Sequence, residues 1–130
     1  MMNKLLIIFA LSLLSGCATV KEWVPSFNDT NQSAAIIDVR LSVARLDCTQ
    51  PQAVQVARIR DHIEWFELYS ESKGWRQQDV RRVIAPMKAT VEDMWTRVQV
   101  KDGSKVYCEM KKTAMQEQAA RAATVILGRF

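Results

Sequence analysis

The sequence has few of the residues that break regular structure, with 4 glycines and 3 prolines among 130 residues. A turn-rich β-sandwich, a collagen or a proline-rich stalk needs many more, so all three are excluded. Histidine occurs once and cysteine 3 times, and nothing shows the spacing of a metal site. With 48% hydrophobic and 25% charged residues, the chain has the balance of a globular protein. This composition favours a compact, helical protein without catalytic activity.

The N-terminus has the pattern of an export signal. Lys4 supplies a positive charge, and residues 5–14 form an apolar run. That run is too short to span a bilayer, which needs about 20 residues, but it suits a signal peptide. Leu14-Ser15-Gly16-Cys17 follows and resembles the lipobox of bacterial lipoproteins, in which small residues precede the cysteine that receives the lipid.

This resemblance implies a signal peptide over residues 1–16 and, on Cys17, a covalent diacylglycerol and an N-acyl chain. No other cofactor is expected. In lipoproteins of this type an aspartate after the cysteine favours retention in the inner membrane. Ala18 stands there instead, which implies anchoring on the periplasmic face of the outer membrane. The alternative is a plain signal peptide or an apolar N-terminal helix in which Cys17 is incidental.

The mature chain divides into a lipidated tether, residues 17–32, and a helical domain, residues 33–130. Four stretches of the domain show helical spacing, and they run from about Ser33 to Asp47, Pro51 to Lys73, Val80 to Val98 and Ser104 to Gly128. With short connections they predict an all-α, antiparallel four-helix bundle. Pro86 removes a backbone donor from the third helix, so we expect a kink or a break near it.

The same spacing assigns an inward face to each helix. The predicted core residues are, in chain order, Ile37, Leu41, Ala44 and Cys48; Val56, Ile59, Ile63 and Phe66; Val80, Ile84, Met87, Val91, Met94 and Val98; and Cys108, Met115, Ala119, Ala122 and Ile126.

Cys48 and Cys108 remain once Cys17 is assigned to lipid. An exported protein meets an oxidising compartment, and an up-down bundle brings the end of its first helix to the start of its fourth. We therefore expect an intramolecular disulfide between them. The alternatives are two free buried thiols or cross-links between subunits.

Other candidate site residues have a structural interpretation beside a functional one. His62 shares a helix face with Trp65 and Tyr69, and we interpret it as a packing residue because no nucleophile accompanies it. The glutamates at 64, 67 and 71 are interpreted as a solvated face rather than as the acid pair of a glycosidase. Glu67 and Glu71 are placed to interact with Lys73 and neighbouring bases.

The most site-like surface in the sequence combines Trp75 with Arg76, Arg81 and Arg82. These bases suit an anionic partner such as lipid headgroups, peptidoglycan or an acidic protein surface. The alternative, which we favour, is a solvated basic face. Nucleic acid is not expected as a partner, because export separates the protein from it and the net charge is only +4.

Beyond the lipobox, the chain resembles small uncharacterised lipoproteins of large myovirus-type tailed phages. The segments that carry this resemblance are Pro25-Ser26-Phe27, Asn31-Gln32-Ser33, Ile36-Ile37-Asp38-Val39, Leu46-Asp47-Cys48, Tyr69 to Gly74, Arg76-Gln77-Gln78-Asp79 and Ile126 to Phe130. It implies a phage-encoded protein. The predicted function is a non-enzymatic, lipid-anchored periplasmic protein that acts through protein or envelope contacts. The alternatives are the outer-membrane subunit of a spanin, which links the membranes during phage lysis, a superinfection-exclusion lipoprotein and a small envelope hydrolase.

Overall fold

The computed structural model describes residues 29–74 and 77–128. In these ranges the protein consists of four α-helices and no strand, namely α1 (Thr30–Ala44), α2 (Gln52–Ser72), α3 (Gln78–Val98) and α4 (Lys105–Leu127). Each helix packs on its neighbours in the chain, α1 also packs on α4, and the backbones of the diagonal pairs stay apart. The predicted small all-α bundle is confirmed. The predicted signal peptide, Cys17 and the predicted tether up to residue 28 lie outside the described residues.

The up-and-down course of the helices gives the bundle two poles. At the disulfide pole, the end of α1 and the start of α2 meet the α3–α4 turn, where the Gln52 backbone N–H donates to Asp102 Oδ1 at 3.2 Å. Gly103 in that turn lies so close to Tyr107 that an added Cβ would be 2.5 Å from its ring. At the Asp29 pole, the start of α1 meets the end of α2 and the start of α3.

Helix α1 begins three residues earlier than the sequence pattern predicts, at Thr30 rather than Ser33. Asp29 is its N-cap, and the Asp29 carboxylate accepts hydrogen bonds from the backbone N–H groups of Asn31 and Gln32 at 3.0 and 3.3 Å. Residues 30–32, assigned above to the tether, are therefore helical.

Gln32 explains why this polar first turn packs into the bundle. Its side chain is only 3% exposed, and its amide nitrogen donates to Ser70 Oγ at 3.2 Å and to Gln77 Oε1 at 3.0 Å. Because these bonds replace those that Gln32 would make with water, burial does not leave it unsatisfied. One buried amide therefore joins α1 to α2 and to the start of α3.

The predicted core faces of α2, α3 and α4 are confirmed, because every residue assigned to them is buried. The predicted face of α1 is wrong for three of its four residues; the fourth, Cys48, is buried but lies in the loop after the helix. Ile37 and Leu41 are each 44% exposed and Ala44 is exposed as well, whereas Ile36 and Val39 are fully buried. Apolar residues occupy both sides of this helix, so periodicity alone did not distinguish them, and packing against α2 and α4 selected the other side.

Helix α3 continues through Pro86, so the chain is not broken there. The buried residues Ile84, Met87 and Val91 lie on both sides of the proline. Their burial offsets the one backbone hydrogen bond that proline removes, since tertiary packing supplies most of the stability of a helix in a protein.

Two adjacent isoleucines test the orientation of α1 with the same chemical change. Ile36→Ala should lower the free energy of unfolding by about 2–5 kcal/mol, because it opens a cavity in the core. Ile37→Ala should lower it by less than about 1 kcal/mol, because nearly half of Ile37 is already in solvent and its removal opens no cavity in the core. Urea unfolding followed by far-ultraviolet circular dichroism measures both. A larger loss for Ile37→Ala would instead support the face predicted from periodicity.

Candidate functional site

A disulfide joins Cys48, in the loop after α1, to Cys108, in the first turn of α4. Their Cα atoms are 5.7 Å apart and 60 positions apart in sequence. The intramolecular pairing expected from the sequence is therefore present in the structure, rather than free thiols. A hydrogen bond links the same two segments beside the disulfide: the Lys112 ammonium group donates to the Leu46 carbonyl oxygen at 2.7 Å.

The loop that carries Cys48 is shaped by Asp47. Its carboxylate accepts hydrogen bonds from the Thr49 hydroxyl at 2.6 Å and from the Thr49 backbone N–H at 2.8 Å. These bonds favour the ionised carboxylate, and the pKa of Asp47 is lowered first by the Thr49 hydroxyl and then by the backbone N–H. Gln55 of α2 accepts from the Asp47 N–H at 2.7 Å, so the turn is tied to a second helix.

Half of the basic surface predicted from the sequence, Trp75 and Arg76, lies outside the described residues. Arg82 is exposed, and Arg81 is half-buried in a groove between α2 and α3. The other residues lining that groove are Arg60, Ile63, Glu64, Glu67, Leu68, Glu71, Lys88 and Glu92. Acidic and basic groups alternate there, so the described part of this surface is balanced in charge rather than uniformly basic.

The glutamates of this groove have different partners from those expected. Glu67 forms an ion pair with Lys88 of α3, while the Lys73 ammonium group lies 3.6 Å from the Asp29 carboxylate. Glu64 and Glu71 are exposed, as a solvated face requires. The groove is thus a set of surface ion pairs linking α2 to α3.

His62 lies in a second groove, between α1 and α2, that also contains Asp38 and Ser42. These are the three residue types of a hydrolytic triad, whose activity depends on hydrogen bonds through the histidine. Within the described residues His62 has no such bond, and the Ser42 hydroxyl donates to the Val39 carbonyl oxygen at 2.8 Å. The arrangement therefore lacks the contacts that activate a serine.

An aromatic pair borders the same groove nearer the Asp29 pole. The rings of Trp65 and Tyr69 are stacked, with centroids 5.2 Å apart and planes 4° apart. The Tyr69 hydroxyl donates to the Asp29 carboxylate at 3.0 Å and accepts from the Asn31 amide at 3.1 Å. Trp65 is 51% exposed. The pair is thus a fixed aromatic surface, open to a partner on one side.

The sequence pattern placed His62, Trp65 and Tyr69 on one face but did not identify the aromatic pair as a surface. The four-residue spacing of Trp65 and Tyr69 was a usable signal, because residues at that spacing are neighbours on a helix. The pattern did not give the register of α1, and that register determines which residues of α1 lie beside Trp65 and Tyr69.

Two other features are absent from residues 29–74 and 77–128. No group of three or more histidine, cysteine, aspartate or glutamate residues in them is arranged to hold a metal ion. None of the four helices has the length and apolar character needed to cross a membrane. No protein-family model, curated protein or solved structure matches this chain.

The disulfide should contribute much of the stability of the bundle. Closing a loop of this length stabilises a fold by about 4 kcal/mol in the chain-entropy model. Dithiothreitol should therefore lower the urea midpoint of the wild-type protein. The matched control is the double variant Cys48→Ala/Cys108→Ala, which should already have the lower midpoint and should not respond to the reductant. Equal midpoints for all samples would contradict a stabilising cross-link.

The carboxylate of Asp47 should titrate below the ordinary aspartate range. Since its pKa is lowered on folding, its contribution to stability is present above about pH 4 and is lost as the pH falls through the folded-state value. Carboxyl-carbon NMR titration measures this pKa. Thr49→Val removes the hydroxyl donor and should raise it, whereas Thr113→Val on the exposed face of α4 should leave it unchanged. An Asp47 pKa that is the same in both variants would contradict this assignment.

Proposed function

We propose that this protein is a lipoprotein of the bacterial envelope, anchored through Cys17 to the periplasmic face of the outer membrane, and that it acts through contacts rather than catalysis. The observation that carries the proposal is the Leu14-Ser15-Gly16-Cys17 sequence, because the lipobox chemistry requires small residues before the cut and a thiol after it. Eleven residues then separate Cys17 from Asp29, where the bundle begins.

The Cys48–Cys108 bond supports export independently of the lipobox. Disulfides persist in oxidising compartments such as the periplasm and are rare in the cytosol. Assigning Cys17 to lipid and the other two cysteines to this bond accounts for every thiol in the chain.

The chemistry of the exposed surface supports a role in binding. Trp65 and Leu68 are 51% and 59% exposed near one pole, and Val100 and Val106 are 89% and 79% exposed at the other. Exposed aromatic and aliphatic groups with charged neighbours are the common features of protein and membrane contact surfaces. The resemblance to lipoproteins of tailed phages further supports a phage origin, with the partner in the host envelope.

Membrane fractionation tests the anchor. The wild-type protein should sediment with outer membranes, while Cys17→Ala should lose the lipid and appear in the soluble periplasmic fraction or as an unprocessed precursor. Recovery of Cys17→Ala with outer membranes in the wild-type amount would overturn the proposal.

Ala18→Asp provides a matched test of the location. It keeps the acylated cysteine but introduces the residue that favours retention in the inner membrane in lipoproteins of this type. The variant should still be acylated and should shift to the inner-membrane fraction. If it remains with the outer membrane, the assignment based on Ala18 is wrong even though the anchor stands.

A further inference from the structure

Trp65 differs from the other aromatic side chains that the structure describes. Phe66 is fully buried, and Trp95 and Tyr107 pack against the core. Arg97 lies over the Tyr107 ring, 4.1 Å from its centroid. Trp65 alone among the described aromatic residues has more than half of its surface in solvent.

The neighbours of Trp65 hold its ring in place without covering it. It stacks on Tyr69, and the Tyr69 hydroxyl is held by Asp29 and Asn31. The indole N–H has no hydrogen-bond partner in the described part of the chain. The site therefore presents a flat apolar ring together with a donor that needs an acceptor from outside the bundle.

The pair lies at the pole from which the chain leads back to Cys17. The Tyr69 hydroxyl contacts Asp29 directly, and Leu68 beside it is 59% exposed. Eleven residues lie between Cys17 and Asp29, and a chain of this length reaches at most about 40 Å. Lipid on Cys17 therefore holds this pole within about 40 Å of the bilayer.

We propose that Trp65, supported by Tyr69 and flanked by Leu68, forms a second membrane contact, with its indole in the headgroup region of the bilayer that carries the anchor. This inference rests on the proposed lipidation of Cys17. Tryptophan and tyrosine are enriched at this depth because an apolar ring and a polar tip suit a layer that is apolar on one side and wet on the other.

The balanced charge around this contact determines which lipid it requires. Asp38 lines the groove that contains Trp65, and Lys73 lies over the Tyr69 ring. Beside Leu68, Arg81 and Lys88 share a groove with Glu64, Glu67 and Glu71. Charges of both signs among the described residues thus leave little net attraction to anionic lipid. The contact accordingly depends on the aromatic ring and forms on a zwitterionic surface. Val100 and Val106, the exposed valines of the disulfide pole, are not assigned to this membrane contact. They lack a polar donor and lie at the end of the bundle away from Asp29.

Two single-tryptophan reporters test the contact in the full acylated chain. One keeps Trp65 and carries Trp23→Phe, Trp75→Phe and Trp95→Phe. The matched control keeps Trp95 and carries Trp23→Phe, Trp65→Phe and Trp75→Phe. Both proteins are reconstituted into phosphatidylcholine vesicles with brominated acyl chains, the vesicles are floated, and emission is read only on floated protein whose helical content matches the wild type.

The Trp65 reporter should shift to shorter wavelength and lose most of its emission to the bromines, while the Trp95 reporter keeps its emission. Adding phosphatidylglycerol should not change the result. Equal, unquenched emission from both reporters on floated vesicles would overturn the contact while leaving the anchor intact. Quenching that requires phosphatidylglycerol would also overturn it. Failure of the acylated chain to float would overturn the proposed function, and this inference with it.

A simpler pair of variants covers the case in which a triple substitution impairs folding. Trp65→Ser, at an exposed position in the otherwise unchanged chain, should reduce the bromolipid quenching of total tryptophan emission. Trp95→Phe should leave the quenched amount unchanged. If Trp65→Ser retains the wild-type quenched amount, the contact is overturned by this route as well.

Discussion

The bond between Cys48 and Cys108 fixes how the first and last helices of the bundle meet. Helices α1 and α4 stand at opposite ends of the described chain, so their pairing closes the longest loop and costs the most chain entropy. The bond removes much of that cost from folding, since it restricts the unfolded chain as well. The closed arrangement of the bundle, in which each helix packs on two neighbours, depends on this pairing of α1 with α4.

The two poles of the bundle are therefore held by different chemistry. Near the disulfide, a covalent link and the Asp47 turn fix the chain. At the other pole, hydrogen bonds from Asp29 and Gln32 reach α2 and the N-cap of α3. These hydrogen bonds lie where the chain enters the bundle from the proposed anchor, and they also hold the Tyr69 ring against Trp65. The same hydrogen bonds therefore fix the start of α1 and support the aromatic surface beside it.

The parts of the fold that were predicted from the sequence are those in which one helix face is clearly apolar. In α3, steps of four and three residues from Val80 to Val98 gave every buried position. In α1 the same reasoning failed, because Ile36 and Ile37 are adjacent and equally apolar, and only the position of the neighbouring helices decides between them. The cysteine pairing was predictable because topology, rather than side-chain packing, brings the two ends together.

The start of α1 and the aromatic pair were missed for a related reason. Gln32 is buried although it is polar, and its partners Ser70 and Gln77 are far away in sequence. A hydrophobic pattern contains no information about such a contact. The role of Tyr69 likewise depends on Asp29, 40 positions earlier, and no local spacing indicates that pairing.

The most direct test of the assignment of all three cysteines is top-down mass spectrometry of the mature protein under non-reducing conditions. Fragment ions should place diacylglycerol and an N-acyl chain on an N-terminal Cys17, and a deficit of two hydrogens across Cys48 and Cys108. An N-terminus at another residue, an unmodified Cys17, or free thiols at the other two positions would contradict the assignment.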